Sequence, residues 1–476
     1  MSALHPPPKR EGDISDTFAS LSKNTPPPLP DRFRQLKLDL TKHNPRALTA
    51  SWNRLLAALR RENELISRSG PSIIPSVTFT PNLASDLGSL RHEIRKRGVA
   101  VIRNVIPADE ARSYKFEIEE YVRQNPSTRG FPASNPQVWE LYWSAAQVRA
   151  RAHPNLLETQ RALMGSLWTA SPDAPVSLGT PLSYADRLRI RQPGDAQFAL
   201  GPHMDGGSVE RWETLGYGRG GVYDSVFKGE WEESYDPFDA SGRVDAVTDL
   251  YGGLGACSMF RMFQGWLSMS RVKPGEGTLQ VYPLVKEGLV YTLLRPFFRA
   301  KSKEKKDGYL EEENWEFTGG ERMESQLQGA APGCAQEMNE ELHPHLELAK
   351  TMVNVPEVGP GDYVVWHCDT IHAVDKTHNG RSDSSVLYIP VCPTTEASAQ
   401  YVARQRDAFI QGTPGPDFPG GKGESQHVGR PTAEYIKQHC SDLGAQTVGL
   451  ERLIALKDDT PGGKEAVELA NKALGF

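Results

Sequence analysis

The sequence predicts an α+β protein: a sandwich or squashed barrel of short strands, flanked by helices at both ends and interrupted by two polar insertions. Three observations carry that reading. Beyond Pro172, short alternating segments such as Leu188-Arg189-Ile190-Arg191 and Val386-Leu387-Tyr388-Ile389 are separated by glycine and proline, as antiparallel strands and their turns are. Upstream, apolar residues recur at helical spacing. Finally, 476 residues at 38% hydrophobic composition supply enough apolar material for one large core or two modest ones.

In chain order, residues 1–30 hold Pro6-Pro7-Pro8 and Pro26-Pro27-Pro28 among serine and charge, which predicts a disordered, partly polyproline tail. Residues 31–80 form an N-terminal helical segment, with Leu48, Trp52, Leu55, Leu59 and Ile66 on one face and Arg54, Arg60, Arg61 and Glu62 on the other. The main unit spans 81–430. It opens with a helix capped by Asn82, striped by Leu83, Leu87, Leu90 and Ile94 and ended by Gly98. Val99-Ala100-Val101-Ile102 is then a short buried strand. Pro107 opens a further helix, with Asp109 and Glu110 suited to its first turn, a stripe of Ala111, Tyr114, Ile118 and Tyr121, and a stop at Pro126. Insertions near 210–251 (aromatic, Gly and Asp) and 301–341 (heavily charged) are expected to be helices or lids over one end of the barrel. Next to the second, His343 and His345 are expected to face solvent. The 431–476 segment turns helical again through Leu450, Leu453, Ile454 and Leu456, with a break at Pro461-Gly462-Gly463.

The formal net charge of -6 gives no case for nucleic acid or an anionic membrane surface as partner. No apolar run approaches the roughly 20 residues that span a bilayer. Met1–Lys9 lacks the apolar core of a signal peptide, so a cytoplasmic location is expected. Five scattered cysteines, Cys257, Cys334, Cys368, Cys392 and Cys440, favour reduced thiols over a disulfide framework.

The chemistry-bearing stretch is Gly201-Pro202-His203-Met204-Asp205-Gly206-Gly207. On an extended segment His203 and Asp205 point to the same side, and an imidazole with a carboxylate suits a divalent iron. Gly206 and Gly207 permit a tight bend beside the metal. Alone, such a triplet reads as a surface turn. Gly361-Asp362-Tyr363-Val364-Val365-Trp366-His367-Cys368-Asp369-Thr370-Ile371-His372 strengthens it by bringing a second histidine late on another strand, His372. His367 is the rival third ligand; its bland reading is a satisfied buried histidine. Arg381 follows nine residues after His372, where a guanidinium can pair bidentately with the far carboxylate of a dicarboxylic co-substrate. Cys368 is read as an inert packed thiol.

This order of parts resembles the Fe(II)- and 2-oxoglutarate-dependent dioxygenases, in particular phytanoyl-CoA dioxygenase-like proteins and a bacterial and fungal group of non-haem iron oxygenases. The resemblance covers Leu83 to Pro393. It includes Arg97-Gly98-Val99-Ala100-Val101-Ile102-Arg103-Asn104-Val105-Ile106 as an entry segment, and a central strand pair from Gly265-Trp266-Leu267-Ser268-Met269 to Gly277-Thr278-Leu279-Gln280-Val281-Tyr282-Pro283. It implies a double-stranded β-helix (jelly-roll, cupin-like) core, and Fe(II) held by His203, Asp205 and His372. It further implies 2-oxoglutarate anchored by Arg381, with Arg191 and Arg261 in reserve and Trp266 nearby. Dioxygen would be consumed, a C–H bond of a small-molecule substrate oxidised, and succinate and CO2 released. Three departures stand out: Leu284-Val285-Lys286 replaces a glycine-serine-histidine segment, Val374 takes the place of a small hydroxyl, and Arg381 lies slightly early. The competing readings are a β-helix that binds a metal or small acid without turnover, and a metal-dependent hydrolase.

Overall fold

The computed structural model describes residues 9–21, 27–302, 304 and 307–476. It is a mixed α/β protein built on two large sheets. The strands that form them are, in chain order, β1 (Ser76–Thr78), β2 (Val99–Arg103), β3 (Gly130–Phe131), β4 (Val138–Trp139), β5 (Leu188–Arg191), β6 (His203–Met204), β7 (Phe263–Ser268), β8 (Leu279–Val281), β9 (Gln336–Glu337), β10 (Val353–Asn354), β11 (Tyr363–His367), β12 (His372–Val374) and β13 (Ser384–Tyr388). The eight-stranded sheet runs β1-β2-β11-β7-β13-β5-β4-β3 and the five-stranded sheet β9-β6-β12-β8-β10. Apart from the parallel pair β1–β2, every pairing in both sheets is antiparallel.

The two-residue period of a strand sorts the large sheet's side chains between two cores. Val99, Val101, Trp266, Val364 and Trp366 point to one face and meet Met204, Val281 and Val353 of the small sheet. Their neighbours Ala100, Ile102, Leu267, Tyr363 and Val365 point to the other face and pack under helices. Burial on both faces explains why Val99-Ala100-Val101-Ile102 is apolar throughout rather than alternating. A third core joins Leu182 and Tyr184 to the C-terminal helices through Val402, Ile436, Val467 and Leu474.

Helix α1 (Arg32–Thr41) precedes α2 (Pro45–Ser69), whose stripe Leu48, Trp52, Leu55, Leu59 and Ile66 is buried together with Leu56. Trp52 stacks on Phe298 with ring centroids 4.3 Å apart and 7° between planes. Ala108–Gln124 buries the expected Ala111, Tyr114, Ile118 and Tyr121. The expected single helix after Asn82 is instead two, Leu83–Ser89 and Arg91–Arg97, with no side-chain cap from Asn82. The break follows Gly88 and Ser89, both weak helix formers, and Gly98 ends the second piece in the left-handed region at φ 67°.

Two expectations fail. The N-terminal segment is not a free tail over 9–21: Ile14–Thr17 forms a 3₁₀ turn, and the stretch is tied to the main unit at several points. The two proline triplets fall largely outside the described residues. His343 and His345 do not face solvent; both are buried, and His345 lies edge-on to Trp52 and Trp315. Burial holds both imidazoles near pKa 3.

The third core contains a buried carboxyl. Glu424 is fully enclosed and accepts hydrogen bonds from the backbone of Tyr142 (2.6 Å) and Trp143 (3.0 Å) and from the Tyr121 hydroxyl (3.2 Å). Burial outweighs these donors and raises its pKa to about 7. Between its unfolded value near 4.5 and that figure the folded chain holds a proton that the unfolded chain has lost, so stability falls as pH rises through this window. Glu424→Gln removes the titration. Its stability relative to wild type is expected to improve between pH 5 and pH 8 by up to ~3 kcal/mol in denaturant melts. A difference that stays constant across that range would refute the assignment.

Candidate metal centre

The candidate metal-binding face comes from adjacent strands of the small sheet. His203 on β6 lies directly opposite His372 on β12, and their ring centroids are 4.2 Å apart. Asp205, just past the end of β6, places one carboxylate oxygen 3.7 Å from His203 Nε2 and the other 3.6 Å from His372 Nε2. These gaps are too long for hydrogen bonds. They suit an ion bonded to each ligand at about 2.1 Å. All three donor atoms lie within 4.8 Å of one another.

The same local device orients both imidazoles. His203 Nδ1 sits 2.7 Å from the Gly201 carbonyl, and His372 Nδ1 sits 3.0 Å from the Thr370 carbonyl. A carbonyl can only accept, so each Nδ1 carries a proton and each Nε2 is turned toward Asp205. Burial, reinforced by His203, lowers His372 to about 3 and keeps it neutral. Burial alone would raise Asp205, but the positive surroundings supplied by His203, His372, Arg261 and Arg187 together prevail and hold the carboxyl below its ordinary value. Beyond Asp205 the chain turns through Gly206 (φ 73°) and Gly207 (φ 97°). A Cβ on Gly207 would stand 3.1 Å from the Thr248 carbonyl, so the bend requires glycine.

The 210–251 insertion locks this arrangement from behind. Arg211 donates to the Asp205 carbonyl at 2.7 Å and to one oxygen of Asp369 at 2.6 Å; Arg243 donates to the other oxygen at 2.6 Å. Asp369 lies between His367 and His372 and is 1% exposed. Burial would raise it, but Arg243 and Arg211 prevail and hold it far below the usual carboxylate range. One buried carboxylate thus ties the second ligand loop to the first. Asp369 carried no role in the sequence reading; its partners come from an insertion whose contacts no spacing reveals.

His367 faces away from the metal face. It stacks on Trp168 at 5.0 Å, its Nε2 lies 2.9 Å from the Pro237 carbonyl, and the Asp369 amide donates to its Nδ1. It is a satisfied buried histidine. Burial raises the Cys368 thiol to about 12, which leaves it unreactive.

A cavity of about 140 Å³ opens on His203, Asp205 and His372, and Trp266 lines it beside Trp366 and Val386. The arginines are distributed differently from expectation. Arg381 is exposed in the turn before β13 and does not line the cavity, because the strand begins only at Ser384. Arg191 is fully buried but engaged: its Nε pairs with Asp195 at 2.8 Å, and its other nitrogens donate to the carbonyls of Asp195, Asp375 and Lys376. Arg261 does line the cavity, as do Arg187 and Arg189, which the sequence reading passed over. Arg187 pairs with Asp186 at 3.3 Å. Arg189 is 4% exposed, donates only to Gln137 (3.1 Å) and the Phe198 carbonyl (2.7 Å), and leaves Nε without a partner. Arg189 and Arg191 share a strand face by the two-residue period, so alternation alone could have nominated either. Asp195, four residues past Arg191 beyond a Pro-Gly turn, was the signal that Arg191 was already occupied.

The described N-terminal segment closes one side. Ile14, Thr17 and Phe18 line the cavity, and the Phe18 ring meets His203 edge-on at 4.9 Å.

A model of the Gig2-like family matches residues 27–450. The chain is 30% identical to Escherichia coli K12 protein YbiU over 404 residues, covering 82% of this chain and 88% of YbiU. Among solved structures it resembles GlcNAc Inducible Gene 2, GIG2 (DUF1479), from Candida albicans, at 32% identity and TM-score 0.80, over 95% of this chain and 97% of that one. It also resembles the "Putative Oxidoreductase" from Salmonella typhimurium LT2, at 30% identity and TM-score 0.73, over 88% and 96%.

Asp369→Asn leaves two buried guanidinium groups short of charge. It is expected to cost about 3–5 kcal/mol in denaturant melts. Arg243→Met leaves the Asp369–Arg211 pair intact and should cost less. Equal losses would show that the three groups do not act as a clip.

Proposed function

The chain belongs to the Gig2-like family, and we propose that it is an Fe(II)- and 2-oxoglutarate-dependent oxygenase on a double-stranded β-helix, oxidising a C–H bond of a small molecule. The observation that carries this reading is the convergence of His203, Asp205 and His372 on one cavity. Two neutral imidazoles and one carboxylate on a single face are the donor set of non-haem iron oxygenases, with the opposite positions left for co-substrate and dioxygen. Iron with 2-oxoglutarate would supply the oxidising power, with succinate and CO2 as by-products.

The chain's own residues would do the rest. The carbonyls of Gly201 and Thr370 orient His203 and His372 so that each Nε2 is presented as a ligand. Arg189 takes the role first given to Arg381: it lines the cavity and carries no carboxylate partner among the described residues, so its guanidinium would receive the far carboxylate of the co-substrate. Val386, which faces Arg189 across β13 and β5, Leu279 and Trp266 supply apolar walls that exclude water from the reacting centre. The oxidoreductase description of the Salmonella relative accords with this chemistry. A hydrolase would need a carboxylate free to act as base, and the cavity's other one, Asp186, is committed to Arg187.

Mixing the protein anaerobically with Fe(II) and 2-oxoglutarate should produce a visible charge-transfer band. His203→Ala should abolish it, and Arg189→Gln should raise the 2-oxoglutarate concentration needed for half the band at least tenfold. Absence of the band in the wild-type protein would sink the oxygenase reading. A band without succinate release under oxygen, across a panel of small metabolites, would leave a binding protein in its place.

A further inference from the structure

We infer that the substrate is a small organic acid whose carboxylate is held by Arg261. This rests on the oxygenase reading above and adds the chemical class of the molecule oxidised. The argument begins with charge. The charged residues lining the cavity are three arginines, Arg187, Arg189 and Arg261, and two aspartates, Asp186 and Asp205. Arg187 and Asp186 neutralise each other. Asp205 and the dianionic co-substrate together exceed a divalent metal by one negative charge, which Arg189 balances. Arg261 is left over.

Its surroundings agree. Arg261 makes no hydrogen bond or ion pair with any described residue; its guanidinium lies only against the Tyr184 ring, 5.8 Å from the centroid. That ring cannot supply an anion, since the Tyr184 hydroxyl donates to Asp417 at 2.9 Å. Arg261 lines the same cavity as His203, Asp205 and His372, which gives its guanidinium access to a molecule held there. A partly buried guanidinium with five donors and no acceptor is costly to leave unmatched. The cavity supplies no internal match, so a ligand must bring one.

Position separates Arg261 from Arg189. Arg189 is on β5, buried in the sheet wall beside Val386. Arg261 is partly exposed in the loop before β7 and also borders a smaller cavity of about 30 Å³ with Gly206, Tyr217 and Arg243. One dicarboxylic co-substrate chelating the metal has a single far carboxylate and satisfies a single guanidinium. The surplus is one positive charge, which matches a carboxylate better than a doubly charged phosphate monoester.

The test uses full-length protein loaded anaerobically with Fe(II) and saturating 2-oxoglutarate. Linear monocarboxylates from acetate to hexanoate and their primary amides are titrated by calorimetry, with the charge-transfer band followed in parallel. At least one acid should bind saturably and perturb the band, and its amide should bind at least tenfold more weakly. Arg261→Gln should keep the metal–2-oxoglutarate band yet lose acid binding tenfold or more, and Arg261→Lys should recover part of it. If acids and amides bind alike, if none binds, or if Arg261→Gln changes nothing, the inference fails while the intact band preserves the oxygenase reading. If the band itself never forms in wild type, it is the oxygenase reading that fails.

Discussion

The residue-for-residue opposition of His203 and His372 across two very short strands is the contact on which the site depends. Register in a sheet is enforced by what each side chain would meet if the strand slipped. Here Met204 is fully buried in the core and Ala373 is 3% exposed, while His203, His372 and Val374 face the cavity. Moving either strand by one residue would put an imidazole into a hydrocarbon core and a methionine or alanine at the metal face. The apolar residues between the ligands therefore fix the ligands.

Two strands this short supply few ladder hydrogen bonds, and the rest of the hold comes from outside the sheet. Asp369 draws Arg211 and Arg243 out of the 210–251 insertion and into the space behind the ligand loops. A buried ion pair gains little net stability over a well-packed apolar contact, because desolvation consumes most of the attraction. What such a group does provide is uniqueness: a carboxylate with two fixed guanidinium partners admits one arrangement. Through the Arg211 donation to the Asp205 carbonyl, that single arrangement reaches a candidate metal ligand. The insertion is accordingly part of the site's framework.

The legible parts of this fold were those governed by local periodicity. The stripe of α2, that of Ala108–Gln124 and the buried strand at 99–102 follow from spacing alone, and the geometry of the His203-Met204-Asp205 triplet follows from strand period. Sequence distance was a poor guide to Arg381, because the chain from His372 to β13 spends its extra residues in an exposed turn. It was equally poor for His343 and His345, which sit beside a charged stretch yet are buried by Trp52, Tyr291 and Trp315, partners far away in sequence. The choice among cavity arginines needed a knowledge of which guanidinium groups already have carboxylates, and only Asp186, next to Arg187, and Asp195, near Arg191, are local enough to read.

The N-terminal stretch carries the same lesson into dynamics. Its proline-rich composition speaks for disorder, yet Phe18 rests on a metal-ligand imidazole and Ser20 donates to Glu337, the residue paired with His203 on the neighbouring strand. The tethers are a handful of polar contacts: Thr17 to the Leu254 carbonyl, the Ala335 amide to the Thr17 carbonyl, and Lys9 to Asp249. No residue of the stretch belongs to any of the three cores. An element held by a handful of polar contacts and one buried ring, Phe18, opens at lower free energy than the sheets beneath it. The wall of the cavity formed by Ile14, Thr17 and Phe18 is therefore held by contacts from the N-terminal stretch and not by the ladders of the two sheets.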